Sequence, residues 1–397
     1  MPRVSVLLTS YNHQTFIEQA IQSVLGQTFS DFELLILDDA STDASWTLIS
    51  RQTDARIQAR RSDRPAQIIS MVNQAITDAA GEYIAMHHSD DAWAPEKLER
   101  QVAWLDAHPD VAAVFTWVQM IDEYGNKVHS EWLNRPHRSR WVLLRNLFDG
   151  TNALCHPSVL IRKRCYEKLG AYRYGLAQTD DAEMWSRVLQ HYPVDVLPER
   201  LTLFRRFSNR SNISGERADV FIRISNEWNI LRQNYLALAS FDDFVQVFPE
   251  FESWRHPDGY HLKFLLAMAC VTSAQPNAWQ LGLRWLYEVV NDTASRESVE
   301  RLYGFSDISY IYLAGVLDSY MVKAASQHMF VLDGCRLADD GVMPGYPELE
   351  VRLIQRNERL QKAMDRQAWW FWRAHRRGVR FVRRVRSKVA RTLAHRV

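Results

Sequence analysis

The sequence has no C-x-x-C pair: its four cysteines, Cys155, Cys165, Cys270 and Cys335, are scattered along 397 residues. That spacing argues against structural zinc and dithiol redox chemistry and leaves reduced interior thiols as the expectation. No apolar run approaches the roughly 20 residues needed to cross a bilayer. The opening MPRVSVLLTSYN turns polar too early for a secretion signal. A cytoplasmic protein is therefore expected. No clean repeat period is present either. What remains is ordinary globular composition on a chain long enough for two domains.

The net charge of +1 conceals an asymmetry. From Arg366 to the end there are eleven Lys or Arg and no Asp or Glu, against 37 basic and 47 acidic residues in the rest. Within this tail Val382, Val385 and Val389 share one helical stripe, with arginines over much of the remaining surface and Trp369, Trp370, Phe371 and Trp372 just before it. A basic amphipathic segment with aromatics suits an anionic membrane surface. Nucleic acid is a weaker use of the same charges.

The first half alternates two periods. VSVLLTS (4–10), FELLILDD (32–39), EYIAMHH (82–88) and VAAVFTWVQMID (111–122) are short apolar runs of the kind buried on both faces of a sheet. Between them, TFIEQAIQSVLGQ, ASWTLISRQ, AQIISMVNQAITDAAG and PEKLERQVAWLDAHPD read as helices. Gly81 is expected as the C-cap of the third and Pro95 in the first turn of the fourth. Such alternation predicts an α/β fold with a mostly parallel sheet and helices on both faces. Ligands then bind beyond the carboxyl ends of the strands. That rule selects 9–12, 38–43 and 87–91, all polar and two of them acidic. From about residue 217 the signals are helical. The expected domains are 1–216, a helical 217–365 for acceptor binding or oligomerisation, and the tail 366–397.

Asp90 and Asp91 stand side by side at a strand end, where two carboxylates need a cation, a proton or open water. A divalent ion held there would supply the missing positive charge. His87 and His88 point to opposite faces of a strand, so at most one faces such a site, and packing is the expectation for both.

VSVLLTSYN, ILDDASTDAS and HHSDDAW occur in that order. They resemble the VSVIIPTYN, VDDGSTD and DSDDxW segments of glycosyltransferase family 2, whose members have the Rossmann-like GT-A fold and invert the anomeric centre. HPSVLIRKRCYEKLGAYR (156–173) and QTDDAEMWSRV (178–188) are similar to that family's acceptor-side strand and helix and its EDxxLWxRL segment. The resemblance covers about residues 1–210. It implies Asp91 as direct ligand of Mn²⁺ or Mg²⁺, Asp90 facing the ribose or sugar, and Asp39 accepting a hydrogen bond from a pyrimidine base. Thr9, Tyr11 and Asn12 complete the donor site, with Tyr11 stacking on the base. Inversion needs a base for the acceptor proton. The resemblance makes that Asp181, with Asp180 and Glu183 as near alternatives. Trp185 and His156 are expected near the acceptor site or in the core.

There are departures. Ala40 replaces the family's usual glycine, and the helix after 66 has no arginine for the phosphates, so Arg61 or Arg64 is the expected substitute. Neither a Q-x-x-R-W motif nor a membrane span accompanies the set, which favours single additions over polymer extrusion. The implied protein is a transferase moving a sugar from a UDP-sugar to a glycan or lipid-linked glycan acceptor, as part of surface-polysaccharide synthesis, cytoplasmic and peripheral on the inner face of the membrane. Two alternatives stand. A sugar nucleotidyltransferase would want a glycine-rich loop after the first strand, and TSYNHQTF has none. A catalytically inactive donor-binding or scaffold protein would bind donor without turnover.

Overall fold

The computed structural model describes residues 1–319 except 137, 210, 211, 213 and 216. The basic tail, the Gly- and Pro-rich stretch 339–348 and the rest of the expected helical region lie outside the described residues. The chain divides into two compact units at Ala237/Leu238.

The first unit runs β1 (Val4–Ser10), α1 (Ile17–Leu25), β2 (Phe32–Asp38), α2 (Ser45–Ser50), β3 (Ile57–Arg61), α3 (Ile68–Asp78), β4 (Tyr83–His88), β5 (Ala92–Trp93), α4 (Lys97–Ala107), β6 (Ala113–Ile121), α5 (Arg140–Phe148), β7 (Leu160–Arg162), α6 (Lys163–Leu169), α7 (Asp180–His191), β8 (Val194–Arg205) and α8 (Ala218–Arg232). The strands form one sheet in the order β3-β2-β1-β4-β7-β6-β8-β5. β1 pairs in parallel with β2 and β4, β2 with β3, and β6 with β8, while β7 and β5 enter antiparallel. The expected mostly parallel α/β sheet is the one observed.

The central strands are apolar on both faces because both are covered. Val4, Val6 and Leu8 pack with Ile17, Ala20, Ile21 and Val24 of α1 and with Leu98, Val102 and Leu105 of α4. Leu7, Leu35, Leu37, Ile84 and Met86, one residue out of phase, are equally buried. This is the period-2 consequence of a sheet with helices on both sides.

Two expectations fail locally. Gly81 is not the C-cap of α3, which ends at Asp78 with Ala79 as its cap. A Cβ on Gly81 would lie 2.6 Å from the backbone nitrogen of Ser5, so the glycine permits close approach to β1. α8, expected at the start of a second domain, lies in the compact unit that carries the sheet.

The second unit begins at Leu238 and is helical as described: α9 (Phe241–Val247), α10 (Leu262–Val271), α11 (Pro276–Asn291), α12 (Thr293–Tyr303) and α13 (Asp307–Val316). α10 and α11 interlock where a Cβ on Gly282 would lie 2.8 Å from the Ala267 carbonyl oxygen. Among the described residues no helix is long and apolar enough to cross a membrane.

Candidate functional site

Parallel register aligns the strand ends that the sequence marked. Ser10 faces Asp38 across β1 and β2, and Thr9 faces His88 across β1 and β4. The pairing continues past the strands. Asp39 N–H donates to the Ser10 carbonyl at 2.9 Å and Ser89 N–H to the Thr9 carbonyl at 3.0 Å. Thr9, Asn12, Asp39, Asp90 and Asp91 thus gather at one edge of the sheet.

His88, Asp90 and Asp91 each offer a ligand atom, all within 4.8 Å of one another. Asp91 is buried, and its Oδ1 accepts the Arg205 N–H at 2.8 Å. Its Oδ2 is buried with no hydrogen-bond partner. Burial, then the neighbouring Asp90 charge, pushes the Asp91 carboxyl well above the usual carboxylate range. An orphaned buried carboxylate oxygen beside a second acid and an imidazole is what a hard divalent cation would satisfy. Burial lowers the His88 imidazole, favouring its neutral, ligating form. His88 thus stands beside the two acids and not in the core. His87, fully buried against Trp93 with ring centroids 4.3 Å apart, does pack. Neither acid caps α4, whose N-cap is Glu96.

Asp39 is almost fully buried at the end of β2. Its Oδ1 accepts the Gln67 N–H at 2.9 Å and the Ser62 hydroxyl at 3.1 Å, and its Oδ2 accepts the Ala66 N–H at 2.9 Å. The carboxylate anchors the loop between β3 and α3 and retains limited further capacity. Asp38 closes its own turn through the Ser41 N–H and hydroxyl. Asn12 accepts the Thr42 N–H at 2.7 Å and ties the β1 and β2 turns together. Tyr11 is exposed at 45% and free to stack on a planar ligand. Asn12, Ala40 and Ala66 have φ of 52°, 60° and 65° and are the non-glycine residues with positive φ among those described. All three border this edge, and such strain collects at functional sites.

Asp181 sits in the first turn of α7, partly exposed. Its Oδ2 accepts from Asn152 at 3.0 Å and its Oδ1 from the Ala182 N–H at 2.6 Å. Burial first, and Asp180 second, push Asp181 up to about 8, while burial pushes Asp180 up to about 6. Glu183 is not a free acid: it is fully buried, with Arg173 at 3.1 Å and Arg187 at 2.9 Å. That removes it from the candidate bases. Trp185 is a core residue, edge-on to Phe115 with ring centroids 5.1 Å apart. His156 lies between His88 and the core residue Trp185. Its ring lies 5.3 Å from His88 and 5.9 Å from Trp185, and its Nε2 shares a 2.8 Å hydrogen bond with the Tyr172 hydroxyl. Cys155, pushed up chiefly by burial, also feels both Asp91 and Asp181.

Sequence reasoning missed Arg205. Buried at the end of β8, its guanidinium donates to the Asp90 carbonyl at 2.7 Å, the Asp122 carbonyl at 2.8 Å and Gln19 Oε1 at 2.8 Å. It also lies 4.5 Å over the Phe16 ring. This one side chain fixes the loop that carries Asp90 and Asp91. The only sequence signal was a cation ending an apolar run. Arg61 instead donates to the Ser41 carbonyl at 2.6 Å and sits 3.5 Å from Asp38, bracing the β2 turn. Arg64 is exposed.

The chain is similar to known proteins. The family model described as glycosyl transferase family 2 matches residues 5–170. An uncharacterized glycosyltransferase of Methanocaldococcus jannaschii is 29% identical over 216 residues, covering 53% of this chain and 73% of that protein. WfaP of Escherichia coli, named as a UDP-Glc:α-D-GlcNAc-diphosphoundecaprenol β-1,3-glucosyltransferase, is 33% identical over 106 residues, 27% of this chain and 42% of WfaP. Among solved structures, S. aureus TarS 1–349 in complex with UDP-GlcNAc has a TM-score of 0.52 at 15% identity, covering 82% of this chain and 92% of that one. At that identity the likeness concerns the fold, which is GT-A. Residues 5–170 thus form a family 2 glycosyltransferase domain.

Proposed function

We propose that this chain transfers a sugar, with inversion, from a UDP-sugar to a glycan or lipid-linked glycan acceptor. The observation that carries the reading is the orphaned Asp91 Oδ2 within the His88–Asp90–Asp91 cluster, at the strand ends where an α/β sheet binds its ligands. Asp91, with His88 and Asp90, would hold a divalent cation, Mn²⁺ or Mg²⁺. When bound, the cation supplies positive charge for the departing diphosphate. Tyr11 offers its face to the uracil, beside Asp39 and the loop that Asp39 anchors. Thr9 and Asn12 line the same edge.

The reaction is a single displacement. The acceptor hydroxyl oxygen bonds to the anomeric carbon as the bond from that carbon to the diphosphate oxygen breaks. The bonding pair leaves with the diphosphate, and the hydroxyl proton passes to an Asp181 carboxylate oxygen. A carboxylate held near pKa 8 takes a proton far more readily than an ordinary one. The names of two similar proteins support the donor: WfaP uses UDP-glucose and TarS was solved with UDP-GlcNAc. WfaP's diphosphoundecaprenol acceptor supports a lipid-linked one here. The basic tail from Arg366 would then bring the enzyme to an anionic inner membrane face.

The test is calorimetric titration with UDP, with and without Mn²⁺, beside Asp91→Ala. Metal-dependent UDP binding that the variant loses is expected. Binding of another nucleotide in place of UDP would overturn the donor, and no nucleotide binding would overturn the enzyme reading. Deleting 366–397 should shift the protein from the membrane pellet to the soluble fraction. A full-length protein that ignores anionic vesicles at low salt would refute the membrane part.

A further inference from the structure

We infer that Glu227, on α8, is a positioning residue for the catalytic base, clamping the three residues that lead into Asp180 and Asp181. The inference rests on the reading of Asp181 as that base. Glu227 is buried, at 4% exposure. Its Oε1 accepts the Ala177 N–H at 3.0 Å. Its Oε2 accepts the Gln178 N–H at 2.8 Å, the Thr179 N–H at 2.9 Å and the Thr179 hydroxyl at 3.1 Å. Four donors from three consecutive residues converge on one carboxylate, and the next residue, Asp180, opens α7.

The chemistry is specific to a carboxylate. Three successive backbone N–H groups form a concavity that favours an anion, and hydrogen bonds to a charged acceptor are the stronger kind. A glutamine there would turn its NH₂ toward N–H donors. Asp181 is itself held only lightly, by Asn152 and by its neighbour's N–H. Its position therefore follows from where the backbone of α7 begins. A second anchor comes from the turn after α8. Asn234 Nδ2 donates to Glu183 Oε1 at 3.0 Å and to Ser186 Oγ at 2.8 Å, and Asn234 Oδ1 accepts from Arg173 at 3.0 Å. α8 and this turn thus fix α7 on both sides of its first turn. They are part of the catalytic unit although they follow its last strand.

The charged and titratable groups facing the Asp180–Asp181 pair are Glu183 on the same helix, Glu227 on α8, and Tyr172 and Cys155 from the segments before α7. Glu227 holds the backbone that leads into α7 and not the donor-side strand ends, so its loss should lower the rate while leaving UDP affinity intact. A residue that merely supports the fold would change rate and affinity together.

The experiment follows UDP release from a panel of UDP-sugars with water as acceptor, using the full chain with Mn²⁺. It compares wild type, Glu227→Gln and Asp181→Asn, with UDP affinity measured in parallel. For Glu227→Gln we expect a rate at least thirtyfold lower with UDP affinity within threefold. An unchanged rate, or a loss of UDP affinity that matches the loss of rate, with Asp181→Asn inactive, would overturn the positioning role alone. A wild-type rate no higher than that of Asp181→Asn would overturn the base reading and the inference with it. If Glu227→Gln does not fold, Thr179→Val, which removes only the hydroxyl bond, takes its place. A severalfold slower rate at constant UDP affinity is then expected, and a wild-type rate refutes the role.

Discussion

Replacing Asp181 with asparagine removes the proposed base while keeping its shape. General base catalysis contributes about 10²- to 10⁴-fold, or roughly 3–5 kcal/mol of transition-state stabilisation at 1.36 kcal/mol per decade. The structure adds a pH signature. Burial and the adjacent Asp180 hold the Asp181 carboxyl near 8, so only about 1% of it is ionised two units lower, by the definition of a pKa. Wild-type kcat/KM should therefore rise about fiftyfold from pH 6 to 8, with unit slope on its acid side, and Asp181→Asn should lose that limb. The same shift has a stability consequence. A carboxyl whose pKa is raised on folding binds its proton more tightly in the native state. Its contribution is present in full below the unfolded value near 3.8 and is lost as pH rises through about 8. Asp181→Asn should thus melt higher than wild type at pH 9 and not at pH 4. A donor-turnover assay across pH 5.5–9, with thermal melts at its two ends, checks both. A flat profile from 6 to 8, or a variant keeping more than a tenth of wild-type rate, would refute the reasoning.

Other outcomes follow from particular contacts. Ala40 holds φ of 60° without being glycine, so Ala40→Gly should raise stability by about 1 kcal/mol, read by denaturant titration. Gly81→Ala places a methyl carbon 2.6 Å from the Ser5 backbone nitrogen and should cost about 1–3 kcal/mol by the same titration. Arg205→Lys keeps the charge and loses most of the three guanidinium bonds to Asp90, Asp122 and Gln19. Metal-dependent UDP affinity should fall by about tenfold or more, measured calorimetrically. His88→Ala should weaken Mn²⁺ binding while leaving the melting temperature nearly unchanged, because its side chain is partly exposed.

The sequence by itself determined the α/β alternation and the order of the acidic strand ends, because both are local. Period-2 and period-3.6 burial are written into runs such as VSVLLTS and IEQAIQSVL, and a strand that ends in acids shows it within ten residues. Strands without that signal stayed hidden. β3 is IQARR, mostly exposed, and β8 carries Pro198 and Glu199 where its register against β6 slips. The tertiary structure alone decided which polar groups are free. Asp90 and Asp91 meet Arg205 across more than a hundred residues, and Glu183 stayed an alternative to Asp181 until Arg173 and Arg187 closed on it. Glu227 showed nothing in a helical run until its carboxylate met the 177–179 backbone. Periodicity records whether a side chain is buried. Which partner satisfies it once buried depends on packing between distant segments, which only the folded chain brings together.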